Sequence, residues 1–186
     1  MQNDFVLNGR PMEVPAARDI IGEIQTLVST CREMCTPVIY TQHILQDDFD
    51  ISPLETTYIP ILKSVGMRRG TNGVDIVEEL TPHPGDVVVE KHRYDAFHNT
   101  RLESVLRSIR GLNAIDTVIV TGTLTEVCCE STVRSAFMRD YKVALASDAT
   151  GALGPAAQDA SENVISAFFG RVMTVQDVQD ELHEDA

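Results

Sequence analysis

Short runs of β-branched and other apolar residues alternate along this chain with longer stretches in which apolar residues return every three or four positions. That alternation leaves few folds open. From Pro15 onward, Ile20, Ile21, Ile24, Leu27, Val28, Cys31, Met34 and Cys35 fall on one helical face. Cys31 and Cys35 are thereby assigned to a core stripe. The apolar run Pro37 to Tyr40 then reads as a buried strand. The pair recurs as a helix near Val74 to Leu80, a strand Asp86 to Val89, a helix Arg101 to Arg110 and a strand Thr117 to Val120. It recurs again as a helix from about Thr125 to Arg139, a strand Val143 to Ala146, a helix near Ala156 to Phe169, a strand Val172 to Thr174 and a last helix. Strands this apolar must be covered on both faces, which implies a three-layer α/β/α domain around a mostly parallel, Rossmann-like sheet.

A chain of 186 residues, 43% hydrophobic, suits a single domain spanning residues 1–186. Between Gln42 and Gly73 the periodicity fades into a polar stretch with Asp47, Asp48, Asp50, Pro53, Arg68, Arg69 and Gly70, the kind of long loop that walls an active site or forms a subunit contact. Doubly wound domains usually open with a strand, yet Met1 to Phe5 reads as a loop. A strand is therefore expected upstream of Met1, and without it two neighbours at the sheet centre lack a hydrogen-bonding partner.

Fifteen Lys and Arg against 28 Asp and Glu give a formal net charge of −13, which opposes binding to nucleic acid or anionic lipid. A small molecule is the expected partner. Cys31, Cys35, Cys128 and Cys129 make neither a disulfide framework nor the paired C-x-x-C of a structural zinc site, and a reducing cytoplasm suits them. No apolar run approaches the length needed to span a bilayer.

Cys128 follows the strand Thr117 to Val120 and lies in the first turn of the next helix. Carboxyl ends of parallel strands gather active sites, and a helix N-terminus stabilises a thiolate. Cys128 is the candidate nucleophile, weighed against an inert core cysteine. Cys129 shares a helical face with Val133, Ala136 and Phe137 and is assigned to packing. Lys91 ends the run Val87-Val-Val-Glu-Lys91, where its ammonium would lower the thiol pKa and steady negative charge. His43, His83, His92, His98 and His183 show no helical metal spacing, and no Gly-rich phosphate loop is present, so neither a metal nor a nucleotide cofactor is expected.

Three blocks resemble the isochorismatase-like hydrolases, in particular their cysteine amidohydrolase branch: Met1-Gln-Asn-Asp-Phe5, Glu90-Lys-His-Arg-Tyr-Asp-Ala-Phe97, and Thr121 to Thr132 continuing through Arg134 and Ala136. Ser147-Asp-Ala149 is a fourth, weaker block. The resemblance implies an Asp, Lys, Cys triad in which Cys128 attacks a carbonyl carbon, Lys91 holds the thiolate and an Asp takes the thiol proton. That Asp is expected immediately before Met1, with Asp4 as an imperfect substitute. The resemblance also implies a cis peptide between Thr123 and Leu124, an oxyanion hole from the N–H groups of Leu124 and Cys128, and a homodimer or homotetramer. Phe5, Arg68, Arg69, Tyr94 and Phe97 are the substrate-binding candidates. Glu126 stands where that branch commonly has Asn, and Tyr40 to Gln46 lacks the D-x-H metal motif of nicotinamidases. The expected reaction is hydrolysis of a small linear amide, ureide or carbamoyl compound through a thioester. The alternative is a catalytically silent relative acting as a binding or scaffolding subunit.

Overall fold

A computed structural model describes residues 1–46, 49–112 and 115–184; Asp47 and Asp48 of the long loop lie outside them. Among the described residues five strands, all paired in parallel, form two sheets. Strand β1 (Ile39–His43) pairs with β2 (Val87–Lys91), and β4 (Lys142–Gly151) lies between β3 (Thr117–Thr123) and β5 (Arg171–Met173). Helices cover both faces. On one side α2 (Ala16–Asp19), α3 (Ile21–Glu33) and α8 (Val175–Glu184) bury Ala17, Ile24, Leu27 and Val178 against Ala146 and Ala149 of β4. On the other, α5 (Leu102–Ser108), α6 (Glu130–Phe137) and α7 (Pro155–Phe168) bury Leu106, Val133, Ala136 and Ile165 against Val89, Val143 and Leu145. Each such large side chain, taken fully out of water, contributes roughly 1.5–3 kcal/mol. A satellite core of Ile44, Leu45, Ile51, Leu62, Met67 and Val74 anchors the long loop, which carries the one-turn helix α4 (Glu55–Tyr58).

Three expectations are corrected. The helix expected near Val74 to Leu80 is only a short turn at Glu78–Leu80. Its backbone is engaged elsewhere: Asn3 N–H donates to Asp75 O at 2.9 Å, Asp4 N–H to Gly73 O at 2.9 Å and Val77 N–H to Met1 O at 3.1 Å. Tertiary pairing therefore overrides the local period. The same bonds turn the opening residues, read as a loop, into the short helix α1 (Asn3–Val6). Cys35 is exposed, because α3 ends at Glu33 and Cys35 follows in a left-handed conformation at φ 54°.

Asp4, a candidate substitute base, is buried with its carboxylate accepting Met67 N–H at 2.7 Å. A Cβ added at Gly73 would lie 2.3 Å from Asp4 Oδ1, so Gly73 is what admits this carboxylate. Gly73→Ala is expected to displace Asp4 and destabilise the fold by about 1–3 kcal/mol, read from the urea midpoint; an unchanged midpoint would show that Asp4 is not fixed there.

Candidate active site

The carboxyl ends of β1, β2 and β3 converge. His43 and Lys91, the last residues of β1 and β2, are register partners. Beyond β3 the peptide bond Thr123–Leu124 is cis. Leu124 O then accepts N–H bonds from Val127 at 3.2 Å and Cys129 at 3.0 Å, the second closing a wide π-type turn over Thr125–Cys129 ahead of α6. Cys128 is carried on that turn. The expected helix thus starts wider than a regular one.

The register of β3 against β4 explains the weak Ser147-Asp-Ala149 block. Val120 pairs with Leu145 but Gly122 pairs with Thr150, so Ala146 to Ala149 form a bulge on β4. There Asp148 Oδ1 accepts Val175 N–H at 2.8 Å, anchoring the start of α8.

Lys91 is 4% exposed, and its Nζ donates to the carbonyls of Arg93 and Tyr94, both at 2.9 Å. An ammonium carries three N–H donors, so one remains for a group in the cavity. Cys128 is half-buried, and both residues line one cavity of about 280 Å³. Their segments are tied together: Thr132 Oγ1 donates to Cys128 O at 2.7 Å and accepts Ala96 N–H at 3.1 Å, while Ser135 Oγ donates to Asp95 Oδ2 at 2.8 Å. The block after Lys91 and the block around Cys128 are thus one hydrogen-bonded unit. Cys129 lines the same cavity, but burial pushes its thiol up to about 12, the property of an inert packing cysteine.

Met1 lines the same cavity as Cys128, Cys129 and Lys91. Gln2 fixes the segment by accepting His43 N–H at 2.7 Å and donating to the carbonyls of His43 at 2.9 Å and Val74 at 3.1 Å. Asp4 does not line the cavity.

Of the substrate-binding candidates, Phe5 and Phe97 line the cavity, and Phe97 is also core, its ring 6.0 Å from that of Tyr141. Tyr94 stands near Cys128 and its hydroxyl bonds the Glu55 carboxylate; burial, reinforced by Glu55, holds that hydroxyl protonated well above its ordinary range. Arg68 and Arg69 are not brought to the cavity walls. Arg68 donates to Leu62 O, and Arg69 pairs with Glu90, so both guanidinium groups are engaged within the fold. Glu126 accepts Leu153 N–H at 3.0 Å through Oε1.

His43 and Glu55 were not singled out from sequence. His43 is 2% exposed with no partner for Nε2, and Glu55 is buried with Oε1 likewise unpartnered among the described residues. The four residues of β1 ahead of His43 are all half-buried, so no alternation marks His43, and nothing local marks Glu55, which the long loop brings in. No three His, Cys, Asp or Glu side chains gather as a metal site among the described residues, and no helix there is long and apolar enough to cross a membrane.

Burial drops His43 to about 3, so the folded protein resists a proton that an unfolded chain takes up near pH 6.5. Between those values the unfolded state binds more protons, and stability falls as pH is lowered through that window by up to about 1.4 kcal/mol per unit. Urea midpoints should therefore decline as the pH falls below about 6.5, with the His43→Gln variant flatter there. Parallel curves for the two proteins would remove His43 as the cause.

The isochorismatase domain model matches residues 1–177. The ureidoacrylate amidohydrolase RutB of Enterobacter sp. (strain 638) is 35% identical over 199 residues, covering 97% of this chain and 85% of that protein. Among solved structures, a cysteine hydrolase from Pseudomonas syringae pv. phaseolicola 1448A superposes with a TM-score of 0.90 at 34% identity, covering 100% of this chain and 90% of that one. An N-carbamoylsarcosine amidase from Thermoplasma acidophilum gives 0.77 at 28% identity, covering 94% and 92%. With a family model spanning nearly the whole chain and a fold shared end to end with solved members, this protein belongs to the isochorismatase family of hydrolases.

Proposed function

We propose that this hydrolase cleaves the C–N bond of a small linear ureido, carbamoyl or amide compound through a thioester on Cys128. The Cys128 thiolate adds to the carbonyl carbon, and the oxyanion is met by the N–H groups of Leu124 and Cys128. Collapse expels ammonia or an amine, which leaves with a proton. Water then adds to the thioester, releasing the acid and restoring the thiol. A carboxylate is the base that this branch implies for the thiol proton. The single observation that carries the reading is that Cys128 and Lys91, from separate strand ends, line one cavity. The names of the relatives, which act on ureidoacrylate and N-carbamoylsarcosine, support the substrate class.

Ammonia release from ureidoacrylate, N-carbamoylsarcosine, biuret and nicotinamide tests the reading. Turnover of the linear compounds above nicotinamide is expected. Silence across the panel would favour the catalytically inert binding subunit instead.

A further inference from the structure

Helix α7 carries two polar side chains where its packing stripe calls for apolar ones. Gln158, Ser161 and Ile165 follow one another at the spacing of a single helical face, and Ile165 is fully buried in the core it shares with Val133 and Ala136 of α6. An inward-facing amide or hydroxyl is tolerated only when its hydrogen bonds are made. Here both reach the turn that bears Cys128. Thr125 opens that turn and is fully buried, and its Oγ1 donates to Gln158 Oε1 at 2.7 Å. Glu130 follows the turn; its Oε2 accepts Ser161 Oγ at 2.6 Å, while Arg134 Nη2 holds its Oε1 at 2.7 Å. One face of one helix thus grips Thr125–Cys129 at its entrance and at its exit.

The Gln158 amide has a single orientation. Its Nε2 lies 3.0 Å from Thr150 Oγ1, 2.7 Å from Glu162 Oε1 and 3.4 Å from Ser147 O. The carboxylate and the carbonyl can only accept, and the Thr150 hydroxyl spends its own proton on Ser147 O at 3.2 Å. All three therefore require the NH2 group on their side, which turns the carbonyl oxygen toward Thr125. Ser147 lies in the β4 bulge and Thr150 just beyond it, so the amide ties the Cys128 turn to the sheet. Neither Gln158 nor Thr125 lines the cavity. We infer that Gln158 is a positioning residue: through Thr125 it fixes Leu124 and Cys128 where their backbone N–H groups meet the oxyanion. This role rests on the thioester reading of Cys128. Backbone donors have no side chain to aim them, so their placement depends on what holds the turn, and a displacement of about 1 Å can cost about 10²-fold in rate.

Two substitutions remove the bond from opposite sides. Gln158→Met keeps the stem without the amide, and Thr125→Val keeps the branched shape without the hydroxyl. In protein shown by its urea midpoint to be folded, each is expected to lower kcat for the preferred ureido or carbamoyl substrate by about 10–10²-fold while KM moves less than about twofold. Thr125→Ser, which retains the hydroxyl, should recover most of what Thr125→Val loses. Because both single variants break one bond, the double variant should fall no further than the larger single loss. Alkylation of Cys128 by iodoacetamide needs the thiolate and no oxyanion donor, so its rate should stay within about twofold of the parent. The inference is overturned if folded Gln158→Met or Thr125→Val keeps the parent kcat, or if the two losses multiply. It is overturned equally if alkylation falls along with kcat, which would place the effect on the sulfur. A parent protein that turns over nothing in the panel sinks the hydrolase reading itself, whereas an active parent matched by its variants sinks only the positioning role.

Discussion

Cys128→Ala is expected to lower kcat/KM for the preferred ureido or carbamoyl substrate by about 10⁴-fold or more, because loss of the nucleophile removes the covalent route and leaves only binding and the oxyanion donors. The fold should be untouched, since Cys128 is half-buried on a turn whose backbone bonds run through Leu124 and Thr132. Cys129→Ala is the necessary contrast. That thiol is 4% exposed with its proton held up to about 12, so its removal should cost stability and leave most of the turnover. Iodoacetamide labelling separates the two without a substrate. Peptide mapping at one neutral pH should find Cys128 modified faster than exposed Cys35, with buried Cys31 and Cys129 spared. Undiminished turnover by Cys128→Ala would end the thioester mechanism.

The elements that positioned Cys128 and Lys91 were legible because two local signals agreed there. An apolar run too uniform to face water marks a buried parallel strand, and a reactive residue type directly after it marks the carboxyl edge of the sheet. Both β2 and β3 run further than expected, to Lys91 and Thr123, since pairing with β1 and β4 extends them past the apolar run. What was illegible depends on distant chain. The segment Val74 to Val77 carries a helical pattern but pairs with Met1 to Asp4, and no periodicity in either stretch announces the other. Arg68 and Arg69 were natural anion ligands by type, yet Leu62 O and Glu90 already engage them. Glu55 reaches the vicinity of Tyr94 only because the satellite core folds the long loop back.

Lys91→Met should separate the two tasks of this ammonium. The substitution keeps the length of the stem and removes the charge, leaving the buried carbonyls of Arg93 and Tyr94 without the donor that each now meets at 2.9 Å. Unsatisfied acceptors of this kind cost about 1–3 kcal/mol, so the urea midpoint should drop while the variant stays folded. Turnover should fall more than stability does, by about 10²–10³-fold, because the cavity loses the positive charge that favours the thiolate and meets the developing oxyanion. Arginine is a poor replacement, since its planar fork cannot follow the compact geometry of an ammonium between two carbonyls in a site 4% exposed. The decisive reading is the alkylation rate of Cys128 at neutral pH. If Lys91 acts on the sulfur, that rate falls in Lys91→Met; if it is unchanged in a variant shown to be folded, Lys91 only braces the Arg93 and Tyr94 turn, and the pairing of ammonium with thiolate must be abandoned.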